Sequence, residues 1–125
     1  MTINPSLYSG TSGVILALLE AWRHCRDDRY GDAAVRGARS IAAVVEDWEY
    51  SSLYFGLAGM AVALRAVHQV LGDAAAGHAA DRAWGQVRSR FDGTRWGVQF
   101  ELLGGNAGIA LGRWPPAMSN WPCWR

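Results

Sequence analysis

The sequence predicts an all-α protein built of αα-hairpin repeats, and three observations carry that expectation. A glycine-led motif recurs along the chain, each copy opens an apolar segment of helical period, and no stretch sustains the alternation of a strand.

The first copy, Ser6-Leu7-Tyr8-Ser9-Gly10-Thr11-Ser12-Gly13, returns as Ser52-Leu53-Tyr54-Phe55-Gly56-Leu57-Ala58-Gly59. A third, looser copy runs Leu102-Leu103-Gly104-Gly105-Asn106-Ala107-Gly108. The first glycines, Gly10, Gly56 and Gly105, are spaced by 46 and 49 residues, which is about what two helices and their connections occupy. Two properties of glycine suit this pattern. The first glycine can adopt a positive φ and turn the chain, and the second, without a side chain, lets the helical turn sit close against a neighbour. One G-x-x-G would be an ordinary loop; three in register argue for a repeat.

After the first copy, Val14, Ile15, Leu18, Leu19 and Trp22 trace a helical stripe. A more amphipathic helix is expected over 34–45, with Val35, Ala38, Ile41, Ala42 and Val45 on one face and Arg36, Arg39 and Ser40 off it. Met60, Leu64, Val67 and Leu71 mark the next stripe; Ala80, Trp84, Val87 and Phe91 mark the one expected over 74–91. More buried and more solvated helices should therefore alternate. Asp27-Asp28, Gly31-Asp32 and Gly72-Asp73 supply the helix-ending glycine and capping acid expected between helices. The segment 94–100 is the nearest approach to a strand and is short enough to be a loop.

Bulk properties bound the function. The 125 residues suit one domain. Twelve basic against eleven acidic residues leave a net charge of +1, so no nucleic-acid or anionic-membrane partner is indicated. No apolar run approaches the roughly 20 residues of a membrane span. Residues 1–8 lack the basic start and apolar middle of a secretory signal, and the two cysteines, Cys25 and Cys123, make no disulfide framework. A cytoplasmic location is expected.

The repeated Leu-Tyr-x-Gly-x-x-Gly lead-ins and the divergent third copy resemble the repeats of the lanthionine synthetase C-like family, over Ser6 to about Gly112. The resemblance implies an α/α toroid of seven inner and seven outer helices. Residues 1–112 would supply two hairpins and the start of a third, an incomplete arc. It also implies an activity for the parent protein: closing thioether rings by adding a precursor peptide's cysteine thiolate to dehydroalanine or dehydrobutyrine. A zinc ion there makes the thiolate available. The family's ligands are one cysteine in a later repeat and an adjacent Cys-His pair, with a catalytic histidine before them, and this sequence matches none of these. His24-Cys25 has the opposite order and lies far upstream, Cys123 arrives several repeats early, and His68 and His78 have no second ligand at i±4. The chain itself is therefore expected to hold no zinc and to be inactive alone.

One position maps onto a functional family residue. Four residues before the first glycine of its third repeat the family carries an aspartate proposed as acid or base, and this sequence has Glu101 before Gly105. The extra methylene would displace its proton by about 1 Å, enough to impair positioned acid–base work. An equally good reading makes Glu101 a carboxylate favoured by the helix dipole.

From Arg113 the composition changes: Trp114-Pro115-Pro116 would stop a helix, and three of seven tryptophans fall in the last twelve residues. Read two bases later with G/C-ending codons, residues 113–125 become Val-Ala-Ala-Gly-Asp-Val-Glu-Leu-Ala-Val-Leu-Ala, a smooth helical continuation. A single-base insertion or deletion is the expectation for this tail. A competing function is a non-enzymatic helical scaffold that binds a peptide or protein partner or self-associates, since an unclosed arc exposes apolar faces. Other toroidal enzymes would need paired catalytic acids or an Asp-rich metal motif; Asp27-Asp28 reads as a helix terminus instead.

Overall fold

The computed structural model describes residues 3–113, so all but Arg113 of the 113–125 tail, with its frameshift reading and Cys123, lies outside the described residues. Those residues form α1 (Thr11–Cys25), α2 (Asp28–Ala42), α3 (Leu57–Leu71), α4 (Ala74–Ser89) and α5 (Asn106–Arg113), with no strand among them. The chain is all-α, as expected.

Each hairpin is built the same way, 46 residues apart. α1 ends on Arg26 at φ 52°, and α3 ends on Gly72 at φ 71°, each a left-handed cap whose amide returns to the last turn. The next residue is an aspartate in both: Asp27 accepts from the Arg29 amide (3.0 Å) to start α2, and Asp73 accepts from the Ala76 amide (2.9 Å) to start α4. Inside the hairpins, Trp22 packs on Gly31 and the His68 ring packs on Gly77. Gly31-Asp32 is thus not a helix boundary. It lies within α2, which begins six residues before the expected start, because Gly31 is the flat spot that admits the Trp22 ring.

The hairpins stand side by side. α3 packs between α1 and α5, while α2 and α4 form a second layer, each packed on its own hairpin partner and on one another. The core runs through Ile15, Ile41, Leu57, Met60, Leu64, Val67 and Val87. Burial follows position in the arc rather than alternating from helix to helix. Central α3 buries eight residues, whereas α1, at the margin, buries only Ser12, Ile15 and Leu19. Val14 of the expected α1 stripe is 57 % exposed, and Phe91, expected on the fourth helix, lies two residues past the end of α4 and is exposed rather than core. Across the outer layer, Arg82 of α4 donates to Glu46 (2.7 Å) and to the Ala42 carbonyl (3.1 Å) that ends α2. This contact holds Glu46 below the usual carboxylate range.

Candidate functional site

The three glycine motifs converge on one rim, at the N-terminal ends of α1, α3 and α5. Each lead-in turn closes with the same backbone bonds. Thr11 N–H donates to Asn4 (2.9 Å), Leu57 to Tyr50 (2.9 Å) and Asn106 to Gln99 (3.0 Å). One turn on, the carbonyls of Gly10, Gly56 and Gly105 accept from Val14, Met60 and Ile109 at 3.2–3.3 Å. Neighbouring turns are stitched by a bond that also recurs. Tyr8 N–H donates to the Tyr54 carbonyl (3.0 Å), and Tyr54 N–H donates to the carbonyl of Leu103 (3.1 Å), the residue in register with it.

The reason for the first glycine differs from expectation. Gly10 has φ −135° and Gly56 φ −137°, extended values open to any residue. Space forces the choice: a Cβ on Gly10 would run into the Asn4 carbonyl, and one on Gly56 would run into the Tyr50 carbonyl. On Gly105 it would lie 2.6 Å from the Glu101 oxygen. The second glycine behaves as expected. Gly13, Gly59 and Gly108 each lie under the carbonyl of the motif's own leucine, Leu7, Leu53 or Leu102. Gly59 and Gly108 also receive the leucine Cβ of the preceding repeat, Leu7 at 2.9 Å and Leu53 at 3.0 Å from an added Cβ.

Glu101 stands in register with Ser6 and Ser52, and it does a serine's work. Its carboxylate accepts from the Leu103 amide (2.6 Å) and the Gly104 amide (2.8 Å), as Ser6 Oγ accepts from Ser9 (3.4 Å). The side chain is exposed at the rim beside an open cleft of about 600 Å³, shared with Tyr50, Ser52, Phe55, Gln99 and Leu103. Aromatic and aliphatic groups dominate this surface: Tyr8 packs edge-on against Phe55, and Phe100, Leu102 and Leu103 are exposed. A hydrogen bond to Glu49 raises the Tyr50 phenol above its ordinary range.

Sequence reasoning missed two residues that shape the rim. Asn106 accepts from the Trp96 amide (2.7 Å) and donates to the carbonyls of Gly97 (2.9 Å) and Gln99 (2.5 Å), folding the 94–100 loop onto the third turn. Arg90 donates to the Trp48 and Glu49 carbonyls (2.7 and 3.0 Å) and to Ser51 Oγ (3.2 Å), fastening the second turn to the end of α4. The available signal was an asparagine where the other copies have Thr11 and Leu57; Arg90 gave none, because its partners, two of them carbonyls, lie about 40 residues away.

Apart from the adjacent His24 and Cys25, the histidines and the described cysteine do not come together. Cys25 is exposed at the end of α1, His24 Nε2 lies 3.1 Å from Glu20, His68 Nδ1 lies 3.2 Å from the Asp73 carbonyl, and His78 is exposed on α4. Among the described residues no group of three or more His, Cys, Asp or Glu could hold a metal ion. A zinc site needs about four converging donors, and these residues do not fit one. No helix among the described residues is long and apolar enough to cross a membrane.

The family model described as Lanthionine synthetase C-like protein matches residues 2–113. No curated protein matches, and no solved structure matches.

Proposed function

This chain belongs to the lanthionine synthetase C-like family, and from that premise we propose that its described residues are the opening arc of a thioether-forming toroid. The parent protein adds a cysteine thiol of a dehydrated precursor peptide across the dehydroalanine or dehydrobutyrine double bond, in the cytoplasm. A carbon–sulfur bond forms at the β-carbon and a proton is delivered to the α-carbon. Zinc, held by later repeats of the complete domain, would keep that peptide thiol in its thiolate form near neutral pH. Since the described residues do not fit that ion, no step is assigned to them through it. The observation that carries this reading is the recurring Tyr8–Tyr54–Leu103 backbone stitch, which is how successive hairpins of one toroid would be set in register.

Glu101 is the one residue here to which the family resemblance lends an acid–base role. Both its oxygens already accept backbone amides, so moving a proton would require giving up one of those bonds. We therefore assign it first to the third turn and only second to catalysis. Residues 1–112 are proposed as the repeat region. The tail from Arg113 is proposed as the product of a shifted frame, which resequencing the locus and reading the next frame for further repeats would test.

The chain alone is proposed to be inactive. Incubated with a dehydrated precursor peptide and zinc, it should form no thioether and retain no stoichiometric metal; ring closure by the 125-residue chain would overturn the assignment. A second reading, a non-enzymatic scaffold that binds a peptide or another copy of itself, draws on the exposed margins of α1 and α5.

A further inference from the structure

The internal repeat says which surfaces of the arc lack a neighbour among the described residues. Residues 14, 60 and 109 are in register at the start of the three inner helices, as are 17 and 63, 58 and 107, and 61 and 110. Central α3 has a partner on each side, and Ala58, Met60, Ala61 and Ala63 are all fully buried. On α1 the counterparts of Met60 and Ala63 are Val14, 57 % exposed, and Ala17, also exposed. On α5 the counterparts of Ala58 and Ala61 are Ala107 and Ala110, both exposed, beside Leu111 at 51 %. The two uncovered faces are therefore the two different sides that α3 keeps covered. The backbone shows the same polarity: among the described residues no donor reaches the Tyr8 carbonyl, whose counterpart on Tyr54 accepts from the preceding repeat.

We infer that two copies of this chain join head to tail, the Val14–Ala17 face of α1 in one copy seated on the Ala107–Ala110–Leu111 face of α5 in the next. The inference rests on the self-associating scaffold reading. The occupant follows from continuity with the interfaces inside the chain: each inner helix packs on the one before it in a single register, and α1 offers the next copy the side that α3 offers α1. Both faces are apolar with small residues at their centres, which lets backbones approach as they do at Gly59 and Gly108. Such an interface joins unlike surfaces, so it propagates into a ring or filament instead of stopping at a dimer.

The test uses two charge substitutions at exposed positions, Val14→Arg and Leu111→Arg, in the full chain, with circular dichroism confirming unchanged helix content. The wild type should sediment as a concentration-dependent series of species. Each variant alone should be monomeric, its self-association weakened at least about tenfold, equivalent to about 1.4 kcal/mol. An equimolar mixture should form a dimer and nothing larger, because one intact α5 face then meets one intact α1 face. Two variants that stay monomeric when mixed, or oligomers that neither substitution affects, would overturn the head-to-tail inference and leave self-association standing. A wild type that is monomeric at all concentrations would overturn both.

Discussion

Leu7, in the first lead-in turn, stands 2.9 Å from where a Cβ on Gly59 of the second would be. The same relation joins Leu53 to Gly108 at 3.0 Å. It couples neighbouring hairpins by steric exclusion at a site where the backbone cannot easily yield, since the Leu53 carbonyl crowds Gly59 from the other side.

Gly59→Ala should therefore destabilise the fold by about 1–3 kcal/mol, the usual cost of overpacking a close contact. Gly85→Ala is the control. Gly85 sits inside α4, and an added Cβ there would meet only the Arg88 guanidinium at 3.9 Å, so the substitution should stabilise by about 0.5–1 kcal/mol through helix propensity. Urea denaturation of the two variants checks both signs.

The left-handed caps give an asymmetric pair. Gly72 at φ 71° has open space around it, so Gly72→Ala should cost about 1 kcal/mol from backbone conformation alone. Arg26 holds φ 52° without being glycine, and its guanidinium lies 4.7 Å over the Trp22 ring. Arg26→Gly should relieve the backbone while losing that stacking, worth about 0.5–1 kcal/mol at an exposed site. The net change in thermal midpoint should be smaller in size than that of Gly72→Ala.

Acid stability should follow the outer helices. Asp27 is drawn from 3.8 to about 2, chiefly by its side-chain hydrogen bond from Arg29, and Glu46 is lowered chiefly by its bond from Arg82. Because the folded values are depressed, these groups contribute stability above their unfolded values. That contribution fades as pH falls from about 4.5 towards 2. Asp27→Asn keeps the cap and removes the charge, so its thermal midpoint should fall less than that of the wild type across this window. An equally steep decline in both would contradict the assignment.

Glu101→Ala should loosen the third turn and little else. Hydrogen exchange should accelerate at the Leu103 and Gly104 amides, which the carboxylate now occupies, while the amides of α1 and α3 keep their protection. Glu101→Ser, which restores the residue type of the first two copies, should recover part of the protection. Uniform acceleration across all helices would argue against a local turn role.

The repeat, its period and the all-α class were legible in the residues because a motif that must fit one crowded geometry three times leaves the same letters each time. Helix starts after Gly10 and Gly56 could be read for that reason, and the small second glycine was read with its correct cause. The reason for the first glycine could not be read. Both a positive φ and a steric squeeze select glycine, and only the positions of the Asn4 and Tyr50 carbonyls tell them apart. Gly31 misled for a related reason: a glycine admitting a ring from the facing helix looks, in sequence, like one that ends a helix.

Local pattern thus determined that helical hairpins form and with what spacing, since period and capping act within a few residues. The tertiary structure decided which faces are covered. Val14 and Met60 hold the same position in successive repeats, yet Val14 is 57 % exposed and Met60 fully buried, because burial depends on having a neighbour on each side. It also decided the role of Glu101, whose two bonds to its own turn depend on backbone amides being presented together by a fold held in place by Asn106 and the stitch from Tyr54.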